Sequence, residues 1–435
     1  MHCHHGWKAH GAMYLSGSKW NMRRRRRRTN PLRVLVLLSL IAAAIYFERV
    51  IVPTVPPLFV PTPVPTRSSA SFALEAVSSF EAGRLAQAEE AFREAIAANP
   101  REQAYHVDLA RVLVYAGRYQ EAETSASNSV LLDPSSPIAN AVHAWTLDFL
   151  AGQEPDAARR VEMLQDALTQ IEQAVALNPS SALTQAYHAE ILMDNDVANY
   201  ARALEAARKA VQLEPTLMES HRALGYVWEA TGSYAQAVDS YQAALRINPN
   251  LPLLHMALGN MYQAQEEFDP AIESYLRAVG LAPTDPEPLR RIAQVYFRLG
   301  EYGPASQYAA DAVEKDPANP YRYGDLGRIY YKNEEYDKAV DALRIAIEGG
   351  AAQSGAQVRG LPLDPGDAKV VEFYYTYGLA LARNGECELA RRVFEALLVG
   401  VPDNETAIFN AQEGLVICGL APATSTPAAT PGPTP

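Results

Sequence analysis

The sequence predicts an all-α repeat solenoid of about nine repeats behind one apolar helix, and three observations predict it. Prolines recur at Pro100, Pro134, Pro179, Pro215, Pro249, Pro283 and Pro317, with intervals of 34, 45, 36, 34, 34 and 34 residues. Alanine stands twelve residues before each of them, from Ala88 to Ala305, and again five before in every repeat but one, where Ser129 takes its place. A fixed period near 34 means self-similar repeats, each unable to bury its apolar face alone and each packed on its neighbours. The third observation is an apolar run over residues 34–47 that follows six consecutive arginines, residues 23–28.

The elements follow in chain order. Residues 1–31 form a basic leader without apolar periodicity; its His2, Cys3, His4, His5 and His10 match no closed tetrahedral spacing, so no metal is predicted. Positive residues ahead of apolar ones are an export signal. The strict run is close to the length of a signal-peptide core, with cleavage after Ala44 as one reading. The reading adopted is an uncleaved transmembrane signal-anchor over residues 32–52, because charge occurs only near its ends. Arg33 snorkels to one interface, and Glu48 and Arg49 lie near the other, where charge costs far less than the ~3 kcal/mol of mid-helix. The arginine block stays in the cytoplasm, which puts everything after the span outside the cytoplasmic membrane. Residues 53–68 are too proline-rich for helix or sheet and predict a stiff linker; residues 421–435 have the same character and predict a disordered tail.

Charge is divided unevenly. Residues 1–68 carry eleven Lys+Arg and one acid, which leaves 27 bases against 49 acids downstream, a balance of −22. Such a field repels nucleic-acid phosphates, so no nucleic-acid partner is predicted. Three cysteines in 435 residues exclude a disulfide-dense mini-protein.

Within the repeats, Leu224, Gly225, Trp228, Gly232, Tyr234, Ala237, Tyr241, Ala244 and Pro249 are followed in register by Leu258, Gly259, Tyr262, Phe268, Ala271, Tyr275, Ala278 and Pro283. Later repeats continue with Ala293, Tyr296, Gly300, Tyr302 and Ala305, then Leu326, Gly327, Tyr330, Tyr336 and Ala339, then Gly378, Gly385, Ala390, Phe394 and Pro402. This pattern resembles the tetratricopeptide repeat family over residues 69–420. The resemblance implies helix-turn-helix repeats, small residues where the two helices press together, and a proline closing the second helix. It implies a superhelical solenoid, with residues 405–417 as the capping helix, and a concave surface formed mainly by the first helix of each repeat. Two departures stand out. About eleven extra residues near 153–163 are expected to lengthen the turn inside the third repeat, and a glycine-rich insertion over residues 349–369 follows the eighth.

No phosphate-binding glycine loop, zinc spacing or HExxH occurs, so neither an enzyme nor a cofactor is predicted. His106, His221 and His255 recur at one repeat position, which reads as scaffold packing, and Glu334 and Glu335 follow Asn333 at an interhelix turn. Projecting the first helices of repeats five to eight inward brings up Arg222, Tyr226, Asn260, Gln263, Arg290, Gln294, Phe297, Arg298, Tyr321, Arg328, Tyr331 and Lys332. That basic and aromatic set suits an extended, acidic peptide, with arginine forking carboxylates; a polar face neutralising its own acids is the bland alternative. The expectation is a membrane-anchored scaffold that binds partner proteins, with self-association also open. Its rivals are an assembly factor for a secretion, pilus or envelope system, and the repeat arm of an enzyme complex whose catalytic subunit is a separate chain. Cys387 begins the second helix of the ninth repeat and Cys418 ends the capping helix, so the two either form a disulfide or pack as small buried residues.

Overall fold

The computed structural model describes residues 30–51 and 67–420. The leader with its His and Cys residues, the linker up to residue 66 and the tail lie outside the described residues. The chain divides into two units, before and after residue 66. The first holds α1 (Pro31–Tyr46), continued by a π-helical turn, Phe47–Ile51. Asn30 opens the helix by accepting from the Leu32 N–H at 3.2 Å, and Pro31 fills the first position, where an N–H has no partner anyway. Pro31–Val50 is long and apolar enough to cross a membrane, and it is exposed throughout. An anchor and a signal sequence share those properties.

The second unit is a stack of nine helical hairpins and a final helix among the described residues. The hairpins are α2 (Ser69–Glu81) with α3 (Leu85–Ala98), α4 (Gln103–Tyr115) with α5 (Tyr119–Leu132), α6 (Pro137–Ala151) with α7 (Ala157–Leu177), and α8 (Ala182–Asn195) with α9 (Tyr200–Leu213). They continue with α10 (Met218–Ala230) and α11 (Tyr234–Ile247), α12 (Pro252–Ala264) and α13 (Phe268–Leu281), and α14 (Glu287–Leu299) and α15 (Tyr302–Lys315). The last are α16 (Pro320–Lys332) with α17 (Tyr336–Glu348) and α18 (Ala368–Arg383) with α19 (Cys387–Gly400), followed by the capping helix α20 (Glu405–Ile417).

The periodic alanines explain the pairing. Ala88, Ala122, Ala167, Ala203, Ala237, Ala271 and Ala305 are all fully buried, because a methyl group is the largest side chain that lets two backbones come so close. Ser129, which replaces alanine once, is equally buried and satisfies its hydroxyl by donating to the Ala126 carbonyl at 2.6 Å. Where the approach is closest even a methyl is too much: a Cβ on Gly259 would sit 2.5 Å from the Tyr275 ring. The three recurring histidines do more than fill space. His106, His221 and His255 each place Nε2 2.8–3.2 Å from the carbonyl of the proline six residues earlier. Asn140, Gln185 and Tyr323 make the same bond to Pro134, Pro179 and Pro317, at 3.0–3.1 Å. One repeat position thus fastens six of the first helices to the end of the helix before it; in α14 the position is Leu289, which is buried instead. Glu334, with φ 62°, is the left-handed residue of the α16–α17 turn, and Glu335 pairs with Lys338.

Both insertions are ordered. The extra residues of the third repeat lengthen the turn only to five residues, 152–156, against three in most hairpins, and go mainly into α7, which reaches 21 residues. Asp156 caps the new end by accepting from the Arg159 N–H at 2.9 Å, and the residues that follow are strong helix formers. The second insertion forms an antiparallel ladder of β1 (Gly350–Ala351) and β2 (Gln357–Val358), with Val358 buried beside Tyr323, Ala346 and Ala352.

The superhelix closes tightly at its start. Asn248 and Asn250, in the α11–α12 connection, donate to the carbonyls of Phe80 at 2.9 Å and Ala82 at 2.8 Å, in the turn of the first hairpin. Inside that closed turn the first helices of repeats two to five meet one another, with Trp145 stacked on Tyr187 at 4.3 Å and Tyr115 tilted against it at 5.6 Å. At the other end, Cys387 and Cys418 form a disulfide, with Cα atoms 5.5 Å apart, that joins the start of α19 to the end of α20.

Candidate partner-binding face

Repeats six to nine leave their inner face open as a cavity of about 360 Å³. Its walls carry Arg290 and Arg298 from α14, Arg322 and Arg328 from α16, and Lys369 from the first turn of α18, with Asp325 as the one acid. Gln263, Gln294 and Phe297 complete the surface. Six of the twelve residues projected inward from the sequence line this cavity: Gln263, Arg290, Gln294, Phe297, Arg298 and Arg328.

The cations differ in how strongly they are held. Arg290 is not the exposed residue that the projection suggested: its side chain is 17% exposed, and its Nε donates to Glu287 at 2.8 Å. Arg291 and Arg322 converge on the same carboxylate at 3.1 and 3.3 Å. Burial raises the Glu287 pKa, but the hydrogen bond from Arg290 and the charges of Arg290, Arg291 and Arg322 outweigh it and hold the carboxyl below its ordinary value. Arg328 lies 5.1 Å over the Phe297 ring and pairs with Glu372 at 2.6 Å. Arg298 is 48% exposed; its guanidinium lies 5.3 Å over the Phe268 ring and makes a long 3.4 Å contact to the exposed Glu266, a pair of little energetic weight. Lys369 reaches Asp325 at 2.9 Å.

Three projected residues, Arg222, Tyr226 and Asn260, line a different cavity of about 500 Å³ between repeats three and six. Arg222 is 4% exposed, its guanidinium 4.8 Å over Trp145 and paired with Glu190 at 2.6 Å, so it is a core residue rather than a surface contact. Tyr226 donates to Asp194, and Asn260 accepts from the Tyr275 hydroxyl at 2.9 Å. Tyr321, Tyr331 and Lys332 line neither cavity. Tyr321 donates to Asp367 at 2.8 Å and Tyr331 packs on Tyr336 at 5.7 Å, while Lys332 is exposed. The sequence missed Arg322, Asp325 and Lys369. On α16 the projected Arg328 lines the cavity, but the rest of the inward stripe runs through Arg322, Asp325 and Ile329 rather than Tyr321, Tyr331 and Lys332; Lys369, read as the end of the insertion, falls in the first turn of α18, whose start the pattern did not fix.

Comparison with known proteins agrees with the repeat. The TPR repeat family matches residues 230–266 and 259–300, and further tetratricopeptide repeat matches cover 79–145 and 290–356. No curated protein sequence matches the chain. Among solved structures, the APC/C hetero-tetramer Cut9-Hcn1 aligns at 16% identity with a TM-score of 0.55, over 79% of this chain and 63% of that one. Human IFIT1, solved as a dimer with m7Gppp-AAAA, aligns at 18% identity with a TM-score of 0.51, over 80% of this chain and 81% of that one. At these identities the likeness is one of fold. The tandem hairpins, their close-packed alanines and the family matches together make the chain a TPR repeat protein with the architecture of a protein-protein interaction scaffold.

Proposed function

We propose that the chain holds a partner protein by an extended acidic segment laid along the inner face of repeats six to nine. The observation that carries this reading is the 360 Å³ cavity, whose walls carry four arginines and a lysine in a domain with an overall balance of −22, with Arg298 held only by a long contact to an exposed acid. Arginine forks bind carboxylates bidentately, and Phe297 and Gln294 supply apolar and amide surface between them. The RNA named with human IFIT1 is not carried over, because the field of the domain repels a phosphate backbone. The test is binding of a fluorescent decaglutamate peptide. The exchange of Arg298→Ala with Lys369→Ala is expected to weaken it about tenfold and to flatten its salt dependence, with helicity unchanged. Equal affinity in the double variant would move the site off this face.

The scaffold acts, on this reading, outside the cytoplasmic membrane, held there by α1 with residues 23–28 inside. The arginine block and the Cys387–Cys418 disulfide support it, since such bonds persist in oxidising compartments. Protease added to intact spheroplasts is expected to digest the repeats. Protection until lysis would reverse the orientation, and a mature chain beginning near Ile45 would show a cleaved signal.

A further inference from the structure

Three first helices bring one hydrogen-bonded chain together inside the closed turn. Tyr226 of α10 donates to Asp194 of α8, and Asp194 is hydrogen-bonded in turn to Asp148 of α6. Two carboxyl groups cannot bond to each other unless a proton lies between them, because an ionised carboxylate only accepts. The pair therefore holds one proton as it stands, and burial decides where. Asp148 is 6% exposed and its Oδ1 meets no donor, so an ionised Asp148 would keep a buried oxygen without a hydrogen bond. Asp194 is exposed at the cavity surface, where solvent and the Tyr226 hydroxyl support a charge. The proton thus belongs to Asp148, which donates it to the Asp194 carboxylate.

No cation takes the proton's place among the described residues. Arg222 of α10 has its charge on Glu190 at 2.6 Å and its guanidinium over Trp145 and, from α4, Tyr115. Arg160 of α7 lines the same cavity but donates to the Glu154 carbonyl at 2.7–3.0 Å. The other titratable groups that line it are Glu190 of α8, Glu229 of α10 and Tyr241 of α11, the last donating to Glu229. Beyond α8, Asp196 is turned to the Ala198 N–H at 2.8 Å, while α5, α9 and α12 contribute no charged lining group. Burial first, then the charge of Asp194, its hydrogen bond and the charge of Glu190 push the Asp148 carboxyl well up, against the pull of Arg222.

We propose that this shared proton is a latch between repeats three and four: Asp148 keeps it in neutral surroundings and fastens α6 to α8, and its loss to hydroxide in alkaline ones sets two carboxylates against each other and loosens the closed turn. The latch is independent of what the basic cavity binds. Its sign follows from linkage. The unfolded chain ionises Asp148 near the ordinary 3.8 and the fold resists, so the stability of the neutral form is full below that value and is lost as pH rises through the raised folded one.

The test compares the full chain in detergent with Asp148→Asn, whose amide donates to Asp194 at every pH. Between the two pKa values the unfolding constant of the wild type is expected to rise relative to that of the variant by up to tenfold per pH unit, the slope of one proton. Glu190 and His188 titrate in both proteins, so their shares cancel in the ratio. Amide exchange, corrected for its intrinsic pH dependence, is expected to accelerate in α6 and α8 of the wild type between about pH 6 and about pH 9, to stay level there in the variant, and to leave α14 and α16 unchanged in both. Infrared spectra of the folded wild type at about pH 7 are expected to show a protonated carboxyl that the variant lacks. If Asp148→Asn lowers the helical signal, Asp194→Asn serves in its place, because it also removes the like charge, and it is expected to flatten the same slope. Parallel pH profiles in the wild type and the folded variant, or no difference in the carboxyl band, overturns the proposal.

Discussion

Replacing Arg222 by methionine is expected to destabilise the repeat domain by about 3–5 kcal/mol at pH 8, and by clearly less at pH 5.5. The size follows from burial. Arg222 and Glu190 are 5% and 4% exposed in their side chains and 2.6 Å apart, so removing the guanidinium leaves a carboxylate without its counter-charge under Trp145. The pH dependence follows from linkage. Burial raises the Glu190 carboxyl to about 7 even though Arg222 and the Trp145 N–H pull it down. Its folded pKa therefore lies above the ordinary value of 4.5, so the cost of ionisation is absent below that value and grows as pH rises through 7. Without Arg222 that cost increases, and protonation at pH 5.5 removes much of it. His188, which burial depresses to about 4, opposes this trend at acid pH, but it is common to both proteins and cancels in the comparison. Denaturant titrations followed by helical signal at the two pH values measure the deficit. An equal deficit at both would mean that lost packing on the aromatic rings, not charge, accounts for it.

Opening the Cys387–Cys418 bond is expected to cost about 3–4 kcal/mol on the chain-entropy account, for a separation of 31 residues. In a solenoid each repeat leans only on its neighbours, so the loss should appear locally. Helix α20 touches only α18 and α19 extensively, and it buries just Ala407, Ala411 and Gly414 fully. Its exposed Phe409 and Val416 contribute little to holding it. Amide exchange across Glu405–Ile417 should accelerate strongly in Cys387→Ser, or on reduction, while α12 and α14 remain protected. Unchanged exchange in α20 after verified reduction would show that packing alone retains the cap.

Much of the architecture was legible in advance because it is local. The 34-residue period, the small residues at Ala237 and Ala271, the ring opposite Gly259 and the position of α20 all follow from what two adjacent helices need in order to touch. Repeat number and register come from such nearest-neighbour needs, and Cys387 and Cys418 could be placed side by side for the same reason. The extra residues of the third repeat were harder. Whether they loop out or extend a helix depends on a single cap, Asp156, and on packing beyond the pattern.

What the sequence by itself determined is thus the repeat, its order and its cap; what only the tertiary structure decided is which inward residues remain available to a partner. Arg222 and Arg298 look alike in sequence, both charged and both on the inner side of a first helix. One is sealed under Trp145 and the other is half exposed in the basic cavity. The difference comes from superhelical pitch. Small rotations between successive repeats add up until Asn248 reaches the Phe80 carbonyl, which closes the early turn on its own side chains and leaves the later turn open. Such a sum over many interfaces has no local signature, and it separates an acidic cavity from a basic one along the same face.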